Sequence, residues 1–149
     1  MLTSLSHSFI YVLDHDQAVD FYVGKLGLEV GTDADLGPFR WLTVHVPGKP
    51  ESELVLATPD MGHDEETAAA IRDLVTKGGA NGVIFNVDDC RKTYEDLLAK
   101  GVEFTQEPTE HFYGTDCGLR DPFGNALRLT QPPDGPVVVP SAEELAREG

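Results

Sequence analysis

Basic residues are scarce in this chain. Eleven lysines and arginines stand against 26 acidic residues, a formal net charge of −15. Such an excess repels nucleic acid and anionic membrane surfaces, so neither is an expected partner. Long apolar runs are missing as well. No stretch reaches the roughly 18 consecutive hydrophobic residues that a membrane-spanning helix needs. The first residues, Met1 to His7, lack a basic segment followed by an apolar one. They do not read as a signal peptide, and the expected location is the cytoplasm. Cysteine is nearly absent. Cys90 and Cys117 are too few for a disulfide framework, lack metal-ligand spacing and read as reduced thiols. No Ser-His-Asp or nucleotide-binding signature occurs. Gly78-Gly79 is not followed by phosphate-loop residues and reads as a helix stop. Much of the acid, such as Asp33, Asp35, Asp64 to Glu66 and Glu143-Glu144, reads as solvated surface.

What the chain does have is a duplication. Phe9 to Val30 has a degenerate echo at Ile84 to Phe104. Val12 and Asp14 match Val87 and Asp89 at an offset of 75 residues. Gly27-Leu28-Glu29-Val30 then matches Gly101-Val102-Glu103-Phe104 at an offset of 74, a slip of one residue within the helix. Leu54 to Pro59 matches Leu127 to Pro132 at an offset of 73. Two copies of one supersecondary unit usually pack together, and a cleft between them is a natural ligand site.

Each copy reads as β-α-β-β-β. In the first, a strand over 8–12 leads to Asp14 as helix cap, with Gln17 as capping-box partner. Val19, Tyr22, Val23 and Leu26 form the expected buried stripe, and Gly27 ends the helix. Strands follow from Leu28, over 39–46 and over 53–57. In the second, a strand over 83–87 precedes the Asp89 cap, a helix to Lys100 and the stop at Gly101. Strands follow over 102–105, 113–120 and 126–131, with Asp121 to Asn125 as a turn. The expected organisation is one domain over 1–132. Its modules span about 5–59 and 81–132, joined by a linker helix at about 65–77. A tail over 133–149 carries a short helix capped by Ser141.

With these residues in hand, the chain resembles the vicinal oxygen chelate superfamily, which includes glyoxalase I, bleomycin-resistance proteins, fosfomycin-resistance enzymes and extradiol dioxygenases. The matching residues are Asp14, Phe21-Tyr22 and Leu26-Gly27-Leu28 in the first half. In the second they are Phe85, Val87, Asp89, Lys100-Gly101-Val102 and Asp121-Pro122-Phe123-Gly124-Asn125. The resemblance covers about residues 5 to 132. It implies an α+β fold in which two tandem modules form a curved mixed-sheet cup with helices outside, and a homodimer. The fold hosts many chemistries and does not name the reaction.

Enzymes of this type hold a divalent metal on four inward side chains from the first and last strands of each module. Carried over by position, these are His7, Val55, Gly82 and Arg128. Strand alternation supports the placement: Ile10 and Val12 should face the helix, leaving His7, Phe9 and Tyr11 on the ligand face. Of the four, only His7 can coordinate, and a cation at Arg128 repels a metal. No cofactor is therefore expected, unless a displaced divalent site recruits Glu53 and His45. Arg128 is a candidate to bind a ligand carboxylate or phosphate; the alternative is internal pairing, with Glu53 as a possible partner. His7 is a candidate general acid or base, or else a structural histidine. Phe9, Tyr11, Trp41 and Tyr113 are candidates to contact or stack on a flat ligand, Trp41 and Tyr113 being equally suited to core or interface. Cys117 reads as packing, and His63 and His111 as exposed loop residues.

Two functional classes remain. One is a binder of a small organic ligand, similar to the drug-sequestering members of the superfamily. The other is an enzyme of the same superfamily, a lyase, isomerase, thiol transferase or dioxygenase, using a displaced metal or His7 acid/base chemistry.

Overall fold

The structure, a computed structural model, describes residues 1–148. Two four-stranded sheets and four helices make up an α+β fold of two β-α-β-β-β modules. The first module contains β1 (His7–Tyr11), α1 (His15–Val19), β2 (Glu29–Asp35), β3 (Arg40–His45) and β4 (Glu53–Ala57). After α2 (Glu65–Thr76), the second contains β5 (Gly82–Asn86), α3 (Cys90–Ala99), β6 (Glu103–His111), β7 (Gly114–Arg120) and β8 (Ala126–Gln131). The tail ends in α4 (Ala142–Glu148). The sheets run β1-β4-β3-β2 and β5-β8-β7-β6. In the first, β1 and β4 are parallel and the other pairs antiparallel.

The duplication is visible as repeated bonds. Val12 N donates to Ala57 O and Val87 N to Thr130 O, both at 2.9 Å. Asp14 accepts from Gln17 N at 2.8 Å and Asp89 from Lys92 N at 3.1 Å, so each helix starts on an aspartate cap. Gly27 and Gly101 end the helices with φ of 80° and 83°, a left-handed conformation that only glycine adopts freely.

The one-residue slip between the copies has a structural form. After Val19, α1 continues as a π-helical segment, Asp20–Lys25, in which Leu26 N donates to Phe21 O five residues back. The wider winding absorbs the extra residue. It also turns the buried face. Ala18, Phe21 and Tyr22 are buried, whereas Val19, Val23 and Leu26 are only half-buried, correcting the stripe expected from regular α-helical spacing. A second correction concerns β6, which runs on to His111 rather than ending near Thr105.

Two compact units are formed, one from Met1–Gly82 with Arg120–Ala126, the other from Val83–Leu119 and the chain from Leu127 onward. The core of the first includes Ile10, Val12, Phe21, Tyr22, Leu42, Val44 and Leu56. The Asp121 to Asn125 turn belongs to it. Asp121 Oδ1 accepts from the amides of Phe123, Gly124 and Asn125, while Oδ2 accepts from Tyr22 Oη at 2.7 Å and Asn125 Nδ2 at 2.8 Å. Asn125 Nδ2 also donates to Tyr11 O, tying the turn to β1. Burial first, then the Asp121 charge, push the Tyr22 phenol above its ordinary range. In the second unit, Leu119, Leu127, Leu129, Leu97 and Cys90 are buried.

Candidate functional site

Alternation along the strands decides which side chains are available to a ligand. On β1, Ile10 is fully buried and Phe9, on the other face, is 48% exposed. On β5, Ile84 and Asn86 are exposed and Val83 and Phe85 are half-buried. Phe9 on β1, and Ile84 and Asn86 on β5, therefore mark the more exposed face of each strand.

The face of the first unit is aromatic. Register sets His7 beside Glu53, Phe9 beside Val55 and Tyr11 beside Ala57. Val55 is in turn paired with Thr43. The Trp41 indole lies 6.2 Å from Phe9 and 6.0 Å from His7, ring to ring. It thus reaches along the face, where Val55 and Thr43 are fully buried. Tyr11 lies farther along, 6.1 Å from the His63 ring. His7 is exposed, and its Nδ1 shares a hydrogen bond with Ser6 Oγ. His45 Nδ1 donates to the Val46 carbonyl. Glu53 Oε2 is buried without a hydrogen-bond partner.

The face of the second unit is built around an ion pair. Asp116 on β7 has a side chain only 2% exposed, and the Arg128 guanidinium on β8 reaches it with Nε at 2.8 Å and Nη2 at 2.6 Å. Arg128 Nη2 also donates to Gln106 Oε1 on β6. Tyr113 Oη donates to Asp116 Oδ2 at 3.1 Å. Burial and the neighbouring carboxylate hold this phenol above its usual range. His111 stacks on the Tyr113 ring at 4.9 Å and sets Nε2 3.2 Å from Asp116 Oδ1. Gly118 makes the arrangement possible. A Cβ there would lie 2.8 Å from Thr105 Oγ1 and 3.2 Å from Arg128 Nη1, so its absence lets the guanidinium cross β7 to β6. Beside this network is a pocket of about 380 Å³, bordered by Ile84, Asn86, Tyr113, Asp116, Arg128 and Thr130 among others.

Several readings are sharpened or corrected. Internal pairing is what Arg128 does, but its partners are Asp116 and Gln106, not the suggested Glu53. The acid that compensates it lies inside β7, out of reach of any motif search. His111 is not a loop residue but the end of β6, held against Asp116. Cys117 packs 3.7 Å from Cys90, sulfur to sulfur, and burial pushes its thiol up to about 12. His7, Phe9 and Trp41 are brought together, as are Tyr113 and Arg128 through Asp116.

The positions at which the resembling enzymes bind metal offer a poor donor set. Val55 and Gly82 carry no donor, and the Arg128 cation is fixed in place by Asp116. Among the described residues, no group of three or more His, Cys, Asp or Glu side chains could hold a metal ion. These residues do not fit a divalent ion.

Comparison with known proteins agrees with this architecture. Residues 4–129 match the family model of the Glyoxalase/Bleomycin resistance protein/Dioxygenase superfamily. YurT of Bacillus subtilis (strain 168) is 33% identical over 122 residues, 82% of this chain and 94% of YurT. The crystal structure of UcmS2 superposes with a TM-score of 0.82 at 45% identity, covering 87% of this chain and 98% of UcmS2. TnmS3, an antibiotic binding protein from Streptomyces sp. CB03234, superposes with a TM-score of 0.72 at 25% identity, covering 89% and 98%.

Proposed function

Because the chain belongs to the Glyoxalase/Bleomycin resistance protein/Dioxygenase superfamily, we propose that it binds a small, planar organic molecule of the antibiotic type. The observation that carries the reading is the Arg128–Asp116 pair. At a position where related enzymes place a metal ligand, this chain has a cation neutralised by a buried carboxylate. The adjoining pocket then offers a neutral floor, the Tyr113 ring for stacking, and Asn86 and Thr130 for hydrogen bonds. A neutral aromatic compound suits it better than a carboxylate or phosphate, because Nε and Nη2 of the guanidinium are already engaged. Phe9 and Trp41 supply a further stacking surface on the first unit. The antibiotic-binding description of TnmS3 supports the same class of ligand.

The test is a binding panel of bleomycin, an anthracycline and an uncharged anthraquinone, followed by calorimetry and by the fluorescence of Trp41, the single tryptophan. At least one planar compound binds in the micromolar range or tighter. Tyr113→Ala weakens it about tenfold, as loss of a stacked aromatic contact does. Absence of binding across the panel, or affinity indifferent to Tyr113, sinks the proposal.

A further inference from the structure

The pocket of the second unit has one wall from beyond the matched residues. Pro132 and Val137, both beyond the last strand, border it beside Tyr113, Asp116 and Arg128. The family match ends at residue 129, and UcmS2 is covered over 98% of its length while only 87% of this chain is used. Pro132 and Val137 therefore lie beyond the residues that match the family model.

Pro132, Pro133, Pro136 and Pro140 restrict the tail's backbone. Between the last two stands the triplet Val137-Val138-Val139, an apolar run in an otherwise polar extension. Val138 and Val139 are 77% and 72% exposed, whereas Val137, turned to the pocket, is 48% exposed. The helix that follows does not anchor the segment by burial. α4 starts on Ser141 Oγ, which accepts from Glu144 N at 3.1 Å, and it has no buried residue. Val137 thus borders, half-covered, the pocket that Tyr113 also lines.

We infer that the C-terminal extension completes the ligand site, with Val137 a specificity-determining contact for the apolar edge of a planar, uncharged ligand that stacks on Tyr113. This rests on the binding function proposed above and adds what selects the ligand. The ligand's polar edge meets Asn86 and Thr130, and its apolar edge is enclosed between the phenol ring and the valine. Compounds carrying charge at that edge are rejected, because Val137 offers a charge no partner.

The experiment uses the full chain and Nile red, an uncharged planar dye whose emission rises in apolar surroundings. Val137→Ser is expected to weaken Nile red about fivefold, the loss of part of one valine's burial. Val138→Ser, a control on the same tail but turned to solvent, leaves affinity within twofold. If Val137→Ser binds as wild type while Tyr113→Ala loses the dye, the tail inference is overturned and the pocket reading stands. If Nile red binds but neither substitution weakens it, both are overturned. Equal weakening by Val137→Ser and Val138→Ser also overturns the inference, since the effect then belongs to the tail's general character.

Discussion

Replacing Arg128 by methionine separates a structural cation from a ligand-binding one. The substitution keeps the apolar stem and removes the charge beside a carboxylate that is 2% exposed. Two opposite charges about 4 Å apart interact by about 4 kcal/mol at an effective dielectric of 20. Removing one partner of a buried pair usually costs about 3–5 kcal/mol, mostly for stranding the other. Arg128 itself is 38% exposed, so water reaches part of the vacated space and the lower end applies. Tyr113 Oη still donates to Asp116, which trims the loss further. The expected destabilisation is about 2–3 kcal/mol, a fall in Tm of about 5–10 °C for a chain of this size. Thermal unfolding followed by circular dichroism reads it directly. Arg128→Met combined with Asp116→Leu should recover at least half of the loss, because an apolar pair of similar volume leaves no stranded charge. If Arg128→Met leaves Tm unchanged yet abolishes binding of an anionic compound, the reasoning fails and Arg128 is a ligand-binding cation.

Three other outcomes follow from the same geometry. Gly118→Ala brings a Cβ to 2.8 Å from Thr105 Oγ1 and 3.2 Å from Arg128 Nη1; thermal melts should show a loss of about 1–2 kcal/mol, and a neutral result would mean that the guanidinium does not need its path across β7. Tyr22 has its folded pKa raised, chiefly by burial and then by Asp121, so its contribution is fully present below the unfolded phenol value near 10 and is lost as pH rises beyond it. Wild-type stability should therefore fall steeply above about pH 10, and denaturant titrations of Tyr22→Phe should show a shallower fall. Cys90 and Cys117 are fully buried, with both thiols raised and Cys117 near 12; a chromogenic disulfide reagent at neutral pH should react with neither in the native protein and with both in guanidinium, and rapid native labelling would contradict the closed packing of α3 on β7.

The fold was legible because its signals are local and occur twice. Asp14 and Asp89 cap, Gly27 and Gly101 stop, and the equivalent strand bonds at Val12 and Val87 confirm the alignment. The slip of one residue was legible as a number but not as a shape. A π segment differs from an α-helix by which carbonyl each amide finds, and here it carries the buried Phe21 and Tyr22. The site was legible only in outline, since alternation gives the face but not the partner. Arg128, Asp116 and Gln106 stand on three adjacent strands, and nothing within any one strand announces the other two. A partial signal existed. On β7, Asp116 and Gly118 share one face and the buried Cys117 and Leu119 the other, and an acid in so buried a strand needs hydrogen-bond donors or a cation beside it. Arg128 is the basic residue within β8, the adjacent strand. The pairing removes the positive charge on which an anion-binding reading of Arg128 depends. The excess of acid elsewhere in the chain, a net charge of −15, supplies no replacement for it.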